Sequence, residues 1–425
     1  MRFRYSTEEH GRPVKKAVVY TQNEHRINFS DVDNQAVYII ERLQANGYET
    51  YIVGGAVRDL ILGKRPKDFD IVTAANPARI KKIFRNSRII GRRFRLVHVF
   101  FGPKIFEVST FRSTRDGPTS NTFGTIEEDV LRRDFSLNAL FYDPLKQLVV
   151  DYVGGMKDIH RRVIRPIIAL PDIFVDDPVR MIRAVKYAAV TGFTLPLFLK
   201  WRIRRQSELL AAISASRLTE EIFKIINSPQ ARGIVESLDA LGLYCFLQPR
   251  AAELFRERPA FRAAYLDTLG KLEREDSGHV QGETLSALIR DYLEEAADWD
   301  GTRGGECEED PGSTAIRPDA EAGPAQRSLP ERYRGAFILA RKFVLPMNPP
   351  RAELDAALRL LFAAHGMHIK KARPVDRHNR IQRQTAAAKP AGSDSGAENS
   401  AAGTEPSKSP RRRRRKPASA AHPLE

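Results

Sequence analysis

Apolar residues along this chain fall into two regimes, with the change near residue 190. In the first, strand-like and helix-like stretches alternate. Val37, Ile40 and Leu43 stand at helical spacing behind Asp31 or Asp33 as a cap, and the run ends at Asn46-Gly47. Thr50 to Val53 is β-branched and aromatic, which predicts a strand. Ala56 to Leu62 reads as a short amphipathic helix. Asp68 to Val72 reads as a second strand, with Phe69 and Ile71 facing a core and Asp68 and Asp70 sharing the other face. Asn76-Pro77 opens a basic helix to Phe84 with proline at its first position. Arg88 to Phe101 reads as strand, Gly91 break and strand, and Ile105 to Arg112 alternates as one more strand. Residues 113–126, rich in Ser, Thr, Gly, Asp and Asn, read as a mobile loop. A helix follows over Glu127 to Leu140, and another starts with Asp176 as N-cap and Pro178 in its first turn.

In the second regime, amphipathic helices are expected over Pro196–Ala212, Ser214–Asn227, Pro229–Leu241, Ala251–Glu275 and Glu283–Ala297, then Ala336–Phe343 and Arg351–Ala364. Three stretches lack such a pattern. Residues 1–30 are polar and basic and read as an arm or disordered leader. Residues 300–329 are Gly-, Pro- and acid-rich and read as a disordered insertion. Beyond about Arg373 the chain turns to Ala, Ser, Pro, Lys and Arg, a composition that builds no core.

Charge narrows the partners. The 425 residues hold 69 Lys and Arg against 53 Asp and Glu, a net +16, which points to a polyanion: nucleic acid first, a membrane surface second. Two cysteines, Cys245 and Cys307, exclude a disulfide scaffold and a cysteine-rich zinc site, and a reducing cytoplasm suits them. The start, Met1 to Ser6, has no apolar core of a secretory leader, and no apolar run is long enough to span a bilayer.

The chemistry gathers at residues 51–72. Gly54-Gly55 lets the backbone turn sharply against a ligand, and the following helix start offers N–H groups to an anion. Asp68 and Asp70 on one strand face repel unless a cation lies between them, and hard oxygens beside a phosphate site suit Mg2+. Further along, Asp177 and Arg180 share a helix face. A carboxylate accepts from an exocyclic amine and a guanidinium donates to a ring nitrogen, so the two can read the edge of adenine, or of cytosine in a rotated pose.

Gly54-Gly55-Ala56-Val57-Arg58-Asp59 followed by Asp68-Phe69-Asp70 resembles the nucleotidyltransferase superfamily of DNA polymerase β. More narrowly, it is similar to the branch of tRNA CCA-adding enzymes and bacterial poly(A) polymerases. The resemblance covers residues 35–230 and implies an α+β fold: a mixed-sheet nucleotidyltransferase head, an all-helical neck and body, and a disordered basic tail. The corresponding boundaries are arm 1–30, head 31–165, neck 166–230, body 231–372 and tail 373–425. It implies Glu107 as a third carboxylate beside Asp68 and Asp70, holding two Mg2+ ions, with Mn2+ as substitute. Gly54, Gly55 and Arg58, helped by Lys67, would cradle the triphosphate. Arg132-Arg133-Asp134-Phe135-Ser136-Leu137-Asn138 resembles the branch's ribose-recognition motif, which implies ribose contact for Arg133 and Asp134 and support from Asn138. Asp151 to Asp158 resembles the hinge between head and neck. Asp176-Asp177-Pro178-Val179-Arg180 resembles the base-selecting motif, departing from it in having Asp176 where the family has Glu. Ile89 to Val99 resembles a signature of bacterial poly(A) polymerases that CCA-adding enzymes usually lack.

The expected function is template-independent addition of AMP from ATP to RNA 3′ ends, on mRNA, small RNA or tRNA, in the cytoplasm, alongside RNA-decay or RNA-chaperone partners. Arg411, Arg412, Arg413, Arg414, Arg415 and Lys416 would grip RNA phosphates. The competing readings are a CCA-adding enzyme and a catalytically idle RNA-binding scaffold.

Overall fold

The computed structural model describes residues 2–7, 13–91, 96–113, 122–274, 281–301 and 327–369. Its first half is built on nine strands: β1 (Arg2–Thr7), β2 (Pro13–Thr21), β3 (Thr50–Val53), β4 (Asp70–Thr73), β5 (Ser87–Ile90), β6 (Leu96–Phe101), β7 (Lys104–Thr110), β8 (Leu140–Asp143) and β9 (Leu148–Asp151). They form one sheet in the order β1-β2-β9-β8-β3-β4-β7-β6-β5. Among the described residues β4 and β7 are its one parallel pair, with Ile71 opposite Val108. A parallel pair needs a long crossover, supplied here by the β5–β6 hairpin and α4.

The first strands overturn the expectation of an arm over residues 1–30. β1 and β2 pair antiparallel, and β2 pairs with β9. Ala17 and Val19 are buried on alternate positions of β2, a period-two signal masked by the lysines beside it. Backbone partners on both sides of β2 then hold a segment whose composition alone looks unstructured.

Short helices pack on the sheet: α1 (Gln22–His25), α2 (Asn34–Ala45), α3 (Gly55–Ile61), α4 (Pro77–Ile83), α5 (Ile126–Leu131) and α6 (Gly155–Arg161). The cap of α2 is Asp33, whose Oδ1 accepts the Gln35 N–H at 2.7 Å. Asn76 caps α4 in the same way through the Arg79 N–H. The sheet faces differ. On one, Ile52, Ile71, Val97, Val108 and Tyr142 join the main core with α2 and α4. On the other, Tyr51, Val53, Val72, Phe111 and Phe141 form a smaller core under α5.

Where helical spacing predicts a single helix over Glu127–Leu140, the chain stops at Leu131, turns at Arg132–Asp134 and makes a 3-10 turn over Ser136–Asn138. Phe135 is extended, fully buried, and bridged to Pro166, so core packing of its ring breaks the helix. The segment expected to be a flexible hinge is densely bonded. Asp151 accepts the N–H groups of Val153, Gly154, Gly155 and Met156 at 2.7–3.1 Å. Gly155 lies so close to the Ser136 carbonyl that a Cβ would fall 2.2 Å from its oxygen.

The second half is helical. α7 (Ile173–Asp176), α8 (Val179–Thr191), α9 (Leu197–Gln206), α10 (Ala215–Ile226) and α11 (Ala231–Ala240) are followed by α12 (Tyr244–Leu247), α13 (Pro249–Glu257), α14 (Pro259–Arg274), α15 (Gln281–Ala296), α16 (Leu329–Val344) and α17 (Arg351–Ala364). Their apolar faces continue the main core as one cluster from Phe135 to Phe362. The helix expected over Ala251–Glu275 is broken by Pro259, which forces Arg258 extended. Nor is Asp176 an N-cap: it ends α7, and Asp177 instead accepts the Val179 N–H at 3.1 Å. The insertion expected over 300–329 lies outside the described residues except at its ends, where Leu329 already opens α16. The basic tail, including Arg411–Lys416, lies wholly outside them. No helix among the described residues is long and apolar enough to cross a membrane.

Candidate active site

The site starts from β4. Its antiparallel neighbour β3 sets Val53 opposite Asp70, and Gly54 follows at once with φ +73°, open only to glycine without strain. A Cβ on Gly54 would lie 3.4 Å from Asp70 Oδ2, so the turn presses directly on the carboxylate. On the other side runs β7. Ile71 pairs with Val108, so Asp70 and Glu107 stand side by side, one position earlier on the same face. Glu107 is half exposed and lies 3.4 Å from His98 Nε2 on β6.

These two carboxylates form one pole of a cleft of about 650 Å³. The far side is walled by arginines from distant elements: Arg112 beyond β7, Arg132 and Arg133 after α5, Arg180 and Arg183 on α8, and Arg217 on α10. Every cation lining the cleft is an arginine, whose fork matches phosphate oxygens. Water reaches Asp70 through the cleft, but protein encloses it on most sides, and that surround governs its acidity. Desolvation raises its pKa, repulsion from Glu107 and Asp68 adds to the shift, and Arg133 opposes it. The arginine wall shows the mirror effect. Burial lowers the pKa of Arg112, opposed by Asp129 and aided by repulsion from Arg133; burial and repulsion from Arg112 lower that of Arg132, opposed by Asp129, with Arg133 and Arg180 adding to the shift. Four carboxylates stand among these arginines and pair with them, Asp129 with Arg133, Asp134 with Arg183, Asp176 with Arg180 and Asp177 with Arg217, so the cleft is lined by both signs of charge.

The arrangement brings together Asp70, Glu107, Arg133, Asp134, Asp177 and Arg180 of the residues expected from sequence. Arg133 is held by two bonds to Asp129 Oδ2, at 2.8 and 3.1 Å. Asp134 lies 3.6 Å from Arg183. Arg180 is buried, donates to the Ile173 carbonyl at 3.0 Å and sits 3.7 Å from Asp176, while Asp177 pairs with Arg217. Asp177 and Arg180 thus face one cleft; the Arg180 N–H donates to the Asp177 carbonyl at 3.1 Å, and their side chains are held by other partners.

Other expected residues lie elsewhere. Asp68 precedes β4; it is exposed like Asp70, while Phe69 and Ile71 are buried together in the main core, so the alternation extends back through Asp68. With Lys67 it lines a second cavity of about 470 Å³ beside Asp33, Arg65 and Lys104. Among the described residues no three His, Cys, Asp or Glu side chains gather as a metal cage; Glu107 and Asp68 both act electrostatically on Asp70. Arg58 does not line the cleft. It is buried behind the glycine turn, donates to Asp59 at 2.8 Å and Asn138 at 3.0 Å, and lies over the Tyr187 ring. Asn138 therefore anchors Arg58.

Arg112, Arg132, Arg183 and Arg217 are cleft residues that sequence reading missed. Arg183 had a signal, since it follows Arg180 at helical spacing on the same face. Arg217 had none, because α10 reaches the cleft only by tertiary packing.

Residues 50–165 match the family described as the poly A polymerase head domain, and residues 192–255 match the probable RNA and SrmB-binding site of polymerase A. Over 259 residues the chain is 41% identical to poly(A) polymerase I of Escherichia coli O6:H1, covering 57% of this chain and 56% of that protein. It is 37% identical to a CCA-adding enzyme of Geobacillus kaustophilus over 240 residues, 55% of this chain and 59% of that one. The chain thus spans little more than half the length of these relatives. The solved CCA-adding enzyme of Bacillus stearothermophilus in complex with CTP superposes with a TM-score of 0.50 at 26% identity, over 84% of this chain and 88% of that one. The fold is that of a mixed-sheet head with helical extensions, as in the solved CCA-adding enzyme. Over residues 50–165 and 192–255 the chain is similar to the tRNA nucleotidyltransferase/poly(A) polymerase family.

Proposed function

We propose that the chain is a template-independent polynucleotide adenylyltransferase. It would join an RNA 3′-oxygen to the α-phosphorus of ATP and release pyrophosphate. The observation that carries this reading is the cleft: the Asp70–Glu107 pair on adjacent strands shares it with six arginines, four of them held in place by carboxylates.

The donor set suits a divalent cation. Asp70 and Glu107 offer hard oxygens, repel each other, and leave room for substrate phosphates to complete a Mg2+ shell. Such an ion, when bound, supplies charge neutralisation at the α-phosphate and makes the attacking hydroxyl more acidic. The chain's own residues do the rest. Arg112, Arg132 and Arg133 would hold the triphosphate against the carboxylate pole, relieving their mutual repulsion. Gly54 keeps the backbone close to Asp70 without a side chain in the way. Asp134, braced by Arg183, would set the ribose, and Asp177 and Arg180 would select the base, each held by its own partner. The Ile89–Val99 signature, of which residues 92–95 lie outside the described structure, supports ATP over CTP. The head then takes in β1 and β2 ahead of residue 31, and the neck, body and tail boundaries stay as proposed from sequence. Deleting residues 405–425 should weaken RNA binding and flatten its dependence on salt; unchanged affinity would leave the tail without that role.

A second reading, CCA addition, draws on the likeness to the CTP-bound enzyme and to the Geobacillus relative. Primer extension separates the two. A generic RNA and a tRNA lacking its CCA end are each incubated with Mg2+ and single nucleotides. A long ladder from ATP alone on the generic RNA is expected. Extension that stops after three residues, needs CTP first and occurs only on tRNA would replace the proposal with CCA addition. No extension on either would leave an idle RNA-binding scaffold.

A further inference from the structure

We propose that the outer face of α9 is a stacking platform for unpaired bases of the RNA strand. The inference rests on the nucleotidyl-transfer reading and adds where the strand behind the reacting 3′ end is held. α9 buries Leu199 and Ile203 completely against the helical core. Its remaining apolar residues face water: Leu197 is 83% exposed, Trp201 56% and Phe198 51%. A helix needs one apolar stripe to dock, and α9 carries a second that the described residues leave uncovered.

Charge identifies the occupant. The helix holds Lys200, Arg202, Arg204 and Arg205 and not one carboxylate. The Arg205 guanidinium lies 5.3 Å from the centre of the Trp201 ring, so a flat cation and an indole are already stacked at the surface. A basic helix with exposed aromatic rings suits a single strand: rings stack on any base while the cations follow the phosphates. A duplex keeps its bases stacked inside and offers such rings nothing. The helix is tied to the chain that leads toward the cleft. Arg202 donates to the Pro171 carbonyl at 3.4 Å, in the segment leading to α7, whose Asp176 lines the active site.

The chain has two tryptophans. Trp299→Phe leaves Trp201 as the sole indole reporter. Adding a 15-residue oligoadenylate should quench its fluorescence. In fluorescence anisotropy, Trp201→Ala should weaken binding of that strand about tenfold, as loss of one base–aromatic stack does, with duplex binding unchanged. Arg205→Glu should weaken it further and lower the salt dependence. Both residues are exposed, and thermal unfolding checks that the variants stay folded. An unquenched indole with unchanged affinity in Trp201→Ala overturns the platform. So does a change in sedimenting mass with Trp201→Ala or Leu197→Ser at constant RNA affinity, which would make the face a contact between copies of this chain. ATP incorporation is scored separately, so failure of the enzymatic reading cannot be mistaken for failure of the platform.

Discussion

Asp70 and Glu221 are two acids with opposite environments. Asp70 stands at the carboxylate pole of the cleft, where desolvation, Glu107 and Asp68 push its pKa up. Glu221 sits on α10 with 3% of its side chain exposed, 3.1 Å from Lys186 and 3.5 Å from both Arg183 and Lys224. Burial alone would raise its pKa, but three cations outweigh burial and bring it down. One carboxylate is supplied with all the positive charge it needs, and the other is left short of it. Compensated charge holds structure together; uncompensated charge at an open cleft awaits a ligand. Arg183 touches both settings, since it reaches Glu221 on one side and Asp134 on the other.

The comparison can be broken most directly at Asp70. Asp70→Asn should reduce ATP incorporation on the order of a thousandfold while the urea unfolding midpoint holds or rises, because a strained charge is removed. Normal turnover in that variant would end the assignment of the carboxylate pole. Glu221→Gln should do the reverse, costing about 3 kcal/mol of stability by stranding buried cations, as read by the same unfolding curve. A stable Glu221→Gln protein would mean that the network is worth little. Next in size is Arg132→Ala, for which the KM for ATP should rise about tenfold with loss of one charged phosphate partner; unchanged KM would remove the arginine wall from triphosphate binding.

The smallest effect is a pH dependence whose two parts have opposite sign. The raised pKa of Asp70 penalises the fold at neutral pH, and the penalty disappears as pH falls toward its ordinary 3.8. The lowered pKa of Glu221 stabilises the fold above its ordinary 4.5, and that gain is lost as pH falls through the depressed value. With a metal chelator present, the advantage of Asp70→Asn over the unsubstituted protein should fade on acidification, and so should the deficit of Glu221→Gln. Parallel shifts of both variants in one direction would show that the two acids are not in contrasting environments.

Legibility in the sequence followed the locality of each cause. The caps Asp33 and Asn76, the glycine turn and α17 all depend on residues within one turn of each other, and all stand where spacing places them. The strand β3 was legible from its residue types, and the core face of Phe69 and Ile71 through alternation. Legibility failed for β1 and β2, where lysines hid a short alternating run, and for the 127–140 stretch, where burial of Phe135 overrode a helical pattern. At the site, Asp70 and Glu107 were legible as types and the register joined them. Arg58 and Lys67 carried the right charge, yet one is folded under the turn and the other opens onto a different cavity. Charge can be read from a sequence; the direction a guanidinium takes is decided by the partners that other elements deliver.

The pairing of β4 with β7 has a consequence beyond the sheet. The Ile71–Val108 register puts Val108 into the main core and Glu107 beside Asp70 in a single act. A slip of one residue would turn Glu107 inward and Val108 toward the cleft. One alignment between two strands therefore specifies a core contact and the neighbourhood of two acids at once, so neither can be altered without the other.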